Sequence, residues 1–204
     1  ESSCSGIIIA KSGDSLIVLA PNMEKEGGIK VGFYDGSNQE ATVIGSDGLT
    51  NLMILSVDIS SMEEKIKSIE PVVLGNSYQL KKGAFILAVG SPVGVSRSID
   101  IGNITAIDKN ASFFDGYGRV IYCDKHLDSI GTFLIDTSGN LVGVVSNLDD
   151  SSSISMAYGI SDLKVMIENM TNGVGSAYLG VRALDIDKDK APEGMPSGIY
   201  VSEV

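Results

Sequence analysis

Apolar and polar positions alternate along this chain in short runs separated by glycine, asparagine and aspartate. The pattern predicts strands at Ile7–Ala10, Leu16–Ala20, Ile29–Tyr34, Glu40–Gly45, Leu52–Val57, Ala84–Gly90, Ile99–Asp108, Arg119–Tyr122, Gly131–Ile135, Leu141–Ser146 and Met156–Ile160. Lys11-Ser12-Gly13-Asp14, Tyr34-Asp35-Gly36-Ser37 and Thr137-Ser138-Gly139-Asn140 supply the backbone angles that hairpin turns need. A break near Ser61–Pro71 splits the strands into two groups. Within it, Ser61-Met62-Glu63-Glu64 has the form of a capping box and predicts a short helix ending near Glu70. A second helix follows the last strand. Ser161 is placed to cap it, Leu163, Met166, Ile167 and Met170 fall on one face, and Asn172-Gly173 stops it. Beyond Gly173, strands are expected at Ser176–Ala183 and Gly198–Val204, around a charged loop at Asp185–Gly194. That tail is too short to be a domain and reads as the start of one. Many short strands with regular turn signals argue for a sandwich or a barrel.

Composition narrows the picture. The chain has 204 residues, of which 43% are apolar, enough for a sizeable core. Its net charge of −11 opposes phosphate-rich partners, so nucleic acid and anionic membrane surfaces are not expected. No apolar run approaches the roughly 20 residues of a membrane span. The chain opens at Glu1 without methionine or signal peptide, which reads as a boundary from which a leader or anchor has been removed. Cys4 and Cys123 are either two free thiols or one disulfide. No spacing of Cys and His forms a zinc site, and no cofactor or metal is expected. Asp149-Asp150 and Asp185/Asp187/Asp189 read as solvated loop charges, the last group being the one candidate for a weak calcium site.

Several stretches, in order, resemble the HtrA/DegP family of trypsin-like serine proteases. They are Ser5-Gly6-Ile7-Ile8-Ile9, Phe33-Tyr34-Asp35-Gly36, Val43-Ile44-Gly45-Ser46-Asp47, Leu52-Met53-Ile54-Leu55, Ala88-Val89-Gly90-Ser91-Pro92-Val93-Gly94, Ile101-Gly102-Asn103-Ile104-Thr105-Ala106 and Gly139-Asn140-Leu141-Val142-Gly143-Val144. Tyr158-Gly159-Ile160, a helix, and then Ala177-Tyr178-Leu179-Gly180-Val181 resemble the family's passage from protease to PDZ domain. The resemblance implies an all-β, chymotrypsin/trypsin-like fold: a double six-stranded antiparallel β-barrel with a C-terminal helix. It also implies a protease-fold domain over residues 1–174, with barrels at about 1–60 and 71–160 and a closing helix at about 161–173. Residues 175–204 would begin a truncated PDZ domain. Tyr178, Leu179, Gly180 and Val181 match the family loop that binds a peptide's C-terminal carboxylate.

The same resemblance locates a catalytic triad and finds it substituted. The chemistry requires a serine oxygen, an imidazole that takes its proton, and a carboxylate that orients the imidazole. Pro21 stands at the histidine position, or Asn22 if the register slips by one. Asn51 replaces the aspartate in Ser46-Asp47-Gly48-Leu49-Thr50-Asn51-Leu52. Counting back from Gly139-Asn140 puts Ile130 at the nucleophile position and Ser129 one place before it. Asp128 replaces the glycine that opens this loop, and a carboxylate there would oppose a developing oxyanion. The one histidine, His126, lies three residues before Ser129, whereas in this fold the base comes from the other barrel. Lys125 is the other basic group near Ser129. The bland alternatives are a loop histidine at His126, a turn serine at Ser129, a strand end at Pro21, a turn residue at Asn51, and hairpin residues at Asp35 and Asp47.

Two functional readings follow, with a third beside them. The first is a catalytically inactive domain that binds proteins or peptides, active paralogues among them, as a scaffold, regulator or chaperone. The second is an active endopeptidase with a rearranged site built from Ser129 with His126 or a lysine. The third is a purely structural module. The family resemblance implies an extracytoplasmic location, with any membrane attachment through an anchor outside this chain. Family trimers form through elements before the first barrel that are largely missing here, so a monomer is expected.

Overall fold

A computed structural model describes residues 3–23, 28–113, 116–124, 130–145, 156–174, 180–186 and 198–203. The first group of strands is β1 (Ile7–Ser12), β2 (Ser15–Pro21), β3 (Ile29–Gly32), β4 (Asn38–Asp47) and β5 (Leu52–Asp58). They form an antiparallel sheet in the order β1-β2-β5-β4-β3. The second group is β6 (Phe85–Gly90), β7 (Ser98–Phe113), β8 (Gly116–Cys123), β9 (Thr132–Ile135), β10 (Leu141–Val145) and β11 (Met156–Gly159). These close into a barrel in the order β10-β11-β8-β7-β6-β9. The second group thus forms the closed six-stranded barrel expected of it, whereas the first is, among the described residues, a five-stranded sheet.

The core explains the uninterrupted apolar runs. β2 and β5 are buried on both faces, so neither carries the polar positions of a half-solvated strand. Leu16, Val18 and Ala20 face a cluster with Phe33, Met53, Leu55 and Ile59. Ile17 and Leu19 face the opposite way, into a cluster with Phe133, Leu141 and Val144 from the barrel. That second cluster joins the two halves. A third fills the barrel with Ile86, Ile104, Ile121, Leu134 and Val142.

The break between the groups is itself a tie. The short helix α1 (Glu64–Lys67) begins at Glu63 with no side-chain cap, so Ser61 does not form the expected capping box. The segment that follows reaches both halves. Val72 N–H donates to the Ile8 carbonyl in β1 (2.9 Å), while Gly75 N–H donates to the Leu141 carbonyl in β10 (2.8 Å).

Helix α2 (Ile160–Thr171) closes the assembly and buries Ile160, Leu163, Ile167 and Met170, with Met166 partly buried beside them. It lies close on β4, where a Cβ on Gly45 would fall 2.7 Å from the Met170 carbonyl oxygen. Its cap corrects the sequence expectation. Gly159 occupies the N-cap position, and Ser161 sits inside the first turn. Ser77 Oγ, from a 3-10 turn at Ser77–Gln79, accepts the Ser161 N–H (3.1 Å), and Ser161 Oγ accepts the Ser77 N–H (2.9 Å). Asp162 adds to this joint by accepting from Tyr78 Oη (2.6 Å) and from the Arg119 N–H (2.8 Å). Asn172 ends the helix, and Gly173 follows at φ +69°, as the sequence predicts. In the tail, β12 (Arg182–Ile186) pairs antiparallel with β13 (Gly198–Glu203). β12 starts later than the expected Ser176 strand, part of which lies outside the described residues.

The β9–β10 hairpin is held by one carboxylate. Asp136 accepts from the N–H groups of Ser138 and Asn140 (both 2.9 Å) and from Asn140 Nδ2. Burial alone would raise its pKa, but the donors on Asn140 and Ser138 outweigh it and hold the carboxyl below its ordinary value. A depressed folded-state pKa stabilises the fold above the unfolded-state value and ceases to do so as pH falls through the folded one. Asp136→Asn is therefore expected to lower the urea midpoint at neutral pH. Its deficit should shrink as the pH is taken below about 4, the ordinary carboxylate range.

Candidate functional site

Sheet register brings the ends of three elements to one place. β2 and β5 pair without a slip from Ser15 opposite Asp58 to Pro21 opposite Leu52. Pro21 is therefore the neighbour of the turn that carries Asn51. β1 stops pairing with β2 at Leu19, two residues earlier, so the missing N–H of Pro21 deprives β1 of nothing. Asn22 N–H then donates to the Asn51 carbonyl (2.8 Å) and fixes the two segments together. From the barrel, Gly131 arrives at φ +80°, and a Cβ added to it would lie 3.4 Å from Pro21 Cγ. Pro21, Asn51 and the Ile130-Gly131 step thus converge where the two halves meet.

Each position has a local cause. Asn51 adopts φ +55°, a left-handed conformation that asparagine tolerates better than most residues. The turn before it is built by Asp47, which is buried and accepts the Thr50 N–H (2.8 Å) and Thr50 Oγ1–H (2.7 Å). Asp47 is thus the turn residue its sequence context predicts. Thr50 Oγ1 also lies 3.2 Å from Met166 Sδ, so α2 supports the Asn51 turn from behind. Pro21 is buried at the end of its strand, and Ile130 is half-buried. As residue types, proline, a neutral amide and an aliphatic side chain supply no proton acceptor and no nucleophile at neutral pH.

Sequence reasoning did not single out the packing that holds this junction. Ser5 Oγ and Ser91 Oγ are 2.7 Å apart, linking the segment before β1 to the loop after β6. Gly90, at φ +107°, leaves so little room that a Cβ there would be 2.4 Å from the Gly131 carbonyl oxygen. A Cβ on Gly131 would fall 2.8 Å from the Ser5 carbonyl oxygen. The signal was present in Ser5-Gly6 and Gly90-Ser91, two pieces of the resemblance, but sequence gave no hint that they touch.

Cys4 flanks the same place, its thiol donating to Met23 Sδ (3.3 Å). The two cysteines do not pair. Burial raises the pKa of Cys4. Burial, with the Asp124 charge adding to it, pushes Cys123 up to about 12. Thiolate is the reactive form, so both thiols are expected to react slowly with Ellman's reagent in the folded protein. The half-buried Cys4 should react first, and Cys123 only after denaturation. Rapid native labelling of Cys123 would contradict this packing.

His126, Ser129, Asp128 and Lys125 lie outside the described residues, as do Asp149, Asp150, Asp187, Asp189, Tyr178 and Leu179. Gly180 and Val181 are described and lead directly into β12, with Gly180 at φ +68°. Among the described residues, no group of three or more His, Cys, Asp or Glu is arranged to hold a metal ion.

Residues 4–144 match the family described as "Trypsin-like peptidase domain". The chain belongs to that family. Within it the chain is HtrA-like, similar to relatives of the HtrA/DegP type. "Serine protease Do-like HtrA" of Bacillus subtilis (strain 168) is 28% identical over 225 residues, covering 98% of this chain and 49% of the relative. "Probable periplasmic serine endoprotease DegP-like" of Pseudomonas savastanoi pv. phaseolicola is 29% identical over 213 residues, covering 98% of this chain and 42% of the relative. Among solved structures, "HtrA-type protease AlgW with decapeptide" superposes with a TM-score of 0.77 at 25% identity, covering all of this chain and 64% of that one. This trypsin-like chain therefore spans about half the length of the curated relatives it matches. The trypsin-like fold expected from the motifs is the fold found. No described helix is long and apolar enough to cross a membrane.

Proposed function

We propose that this chain is a catalytically inactive HtrA-like domain that acts by binding protein or peptide, in a scaffolding, regulatory or chaperone-like role. The observation that carries the reading is Pro21. It, or Asn22 if the register slips by one, stands where the resemblance puts the general base. Neither side chain is a proton acceptor near neutral pH, and Pro21 pairs with Leu52 at the end of β2. Asn51 and Ile130 remove the orienting carboxylate and the nucleophile from the other two positions. The junction around them keeps its close packing, so the loss is one of chemistry and not of architecture.

In this reading residues 1–174 are the protease-fold domain and residues 175–204 begin a PDZ domain. Its carboxylate-binding loop would be Tyr178, Leu179, Gly180 and Val181. The AlgW structures are of that protease with a decapeptide or a tripeptide, which supports peptide as the partner class. Relatives named as periplasmic endoproteases support an extracytoplasmic location.

Purified protein incubated with casein, from acidic to alkaline buffer, should give no cleavage above the blank. The same protein should slow the aggregation of reduced α-lactalbumin. Cleavage lost in His126→Ala would overturn inactivity and favour the rearranged endopeptidase. Unchanged aggregation would sink the binding role and leave a structural module.

A further inference from the structure

We draw no further inference here: the strongest candidate, the exposed apolar face of β6 and β7 formed by Phe85, Leu87, Ile99 and Ile101, carries none because nothing in the structure shows what covers it.

Discussion

Phe133→Ala should cost about 3–5 kcal/mol of stability, the range for emptying a well-packed aromatic site. Phe133 is 1% exposed and is the largest of the fully buried side chains among the described residues. It stands on β9 opposite Val89 of β6 and Val144 of β10. From there it reaches the cluster that also holds Ile17, Leu19, Leu52 and Ile54 of the first sheet. Its removal leaves a void between two halves whose hydrogen-bonded ladders restrain collapse, so the upper part of the range applies. Urea unfolding followed by circular dichroism reads the change as a shift of midpoint at constant slope. A loss below about 1 kcal/mol, the level of an ordinary substitution, would mean that this side chain does not bridge the halves.

Gly90→Ala should also be severe, for a different reason. Backbone at φ +107° strains any L side chain, on the order of 1–3 kcal/mol. The added Cβ must also displace the Gly131 carbonyl, 2.4 Å away, in a segment pressed against Ser5. A clash with backbone is not relieved by a rotamer change, so a total of about 3 kcal/mol or more is expected. Gly139→Ala is the matched control. It shares a positive φ, +83°, but its Cβ would meet nothing within 4 Å. That variant should lose only the conformational part. Equal losses in the two variants would show that the contact between Gly90 and Gly131 adds nothing.

These sites show how far the sequence could be read. β2 and β5 were legible because two-sided burial writes an unbroken apolar run, and α2 because one-sided burial writes a helical period. The Thr137-Ser138-Gly139-Asn140 turn was legible because its chemistry is local. The helix cap was not. Ser161 had the right residue type, but the group that caps α2 is Ser77 Oγ, 84 residues away in the chain. β7 extends to Phe113, beyond its expected end at Asp108, because β8 continues to pair with it, past two irregularities, as far as Phe113 opposite Gly116. Register against a partner strand, not local propensity, sets that length. The candidate site divides in the same way. Residue identities at Pro21, Asn51 and Ile130 come from motif spacing, whereas the contacts joining Pro21, Gly131, Ser5 and Gly90 come only from tertiary packing.

Inactivity requires that no serine here is an activated nucleophile. A fluorophosphonate probe labels a serine oxygen only when a base activates it within a formed oxyanion site. Incubated with the folded protein beside an active HtrA-type protease, it should label the protease and leave this chain unmodified by intact mass. A stoichiometric adduct on the wild-type chain that disappears in Ser129→Ala would contradict the inactive reading directly.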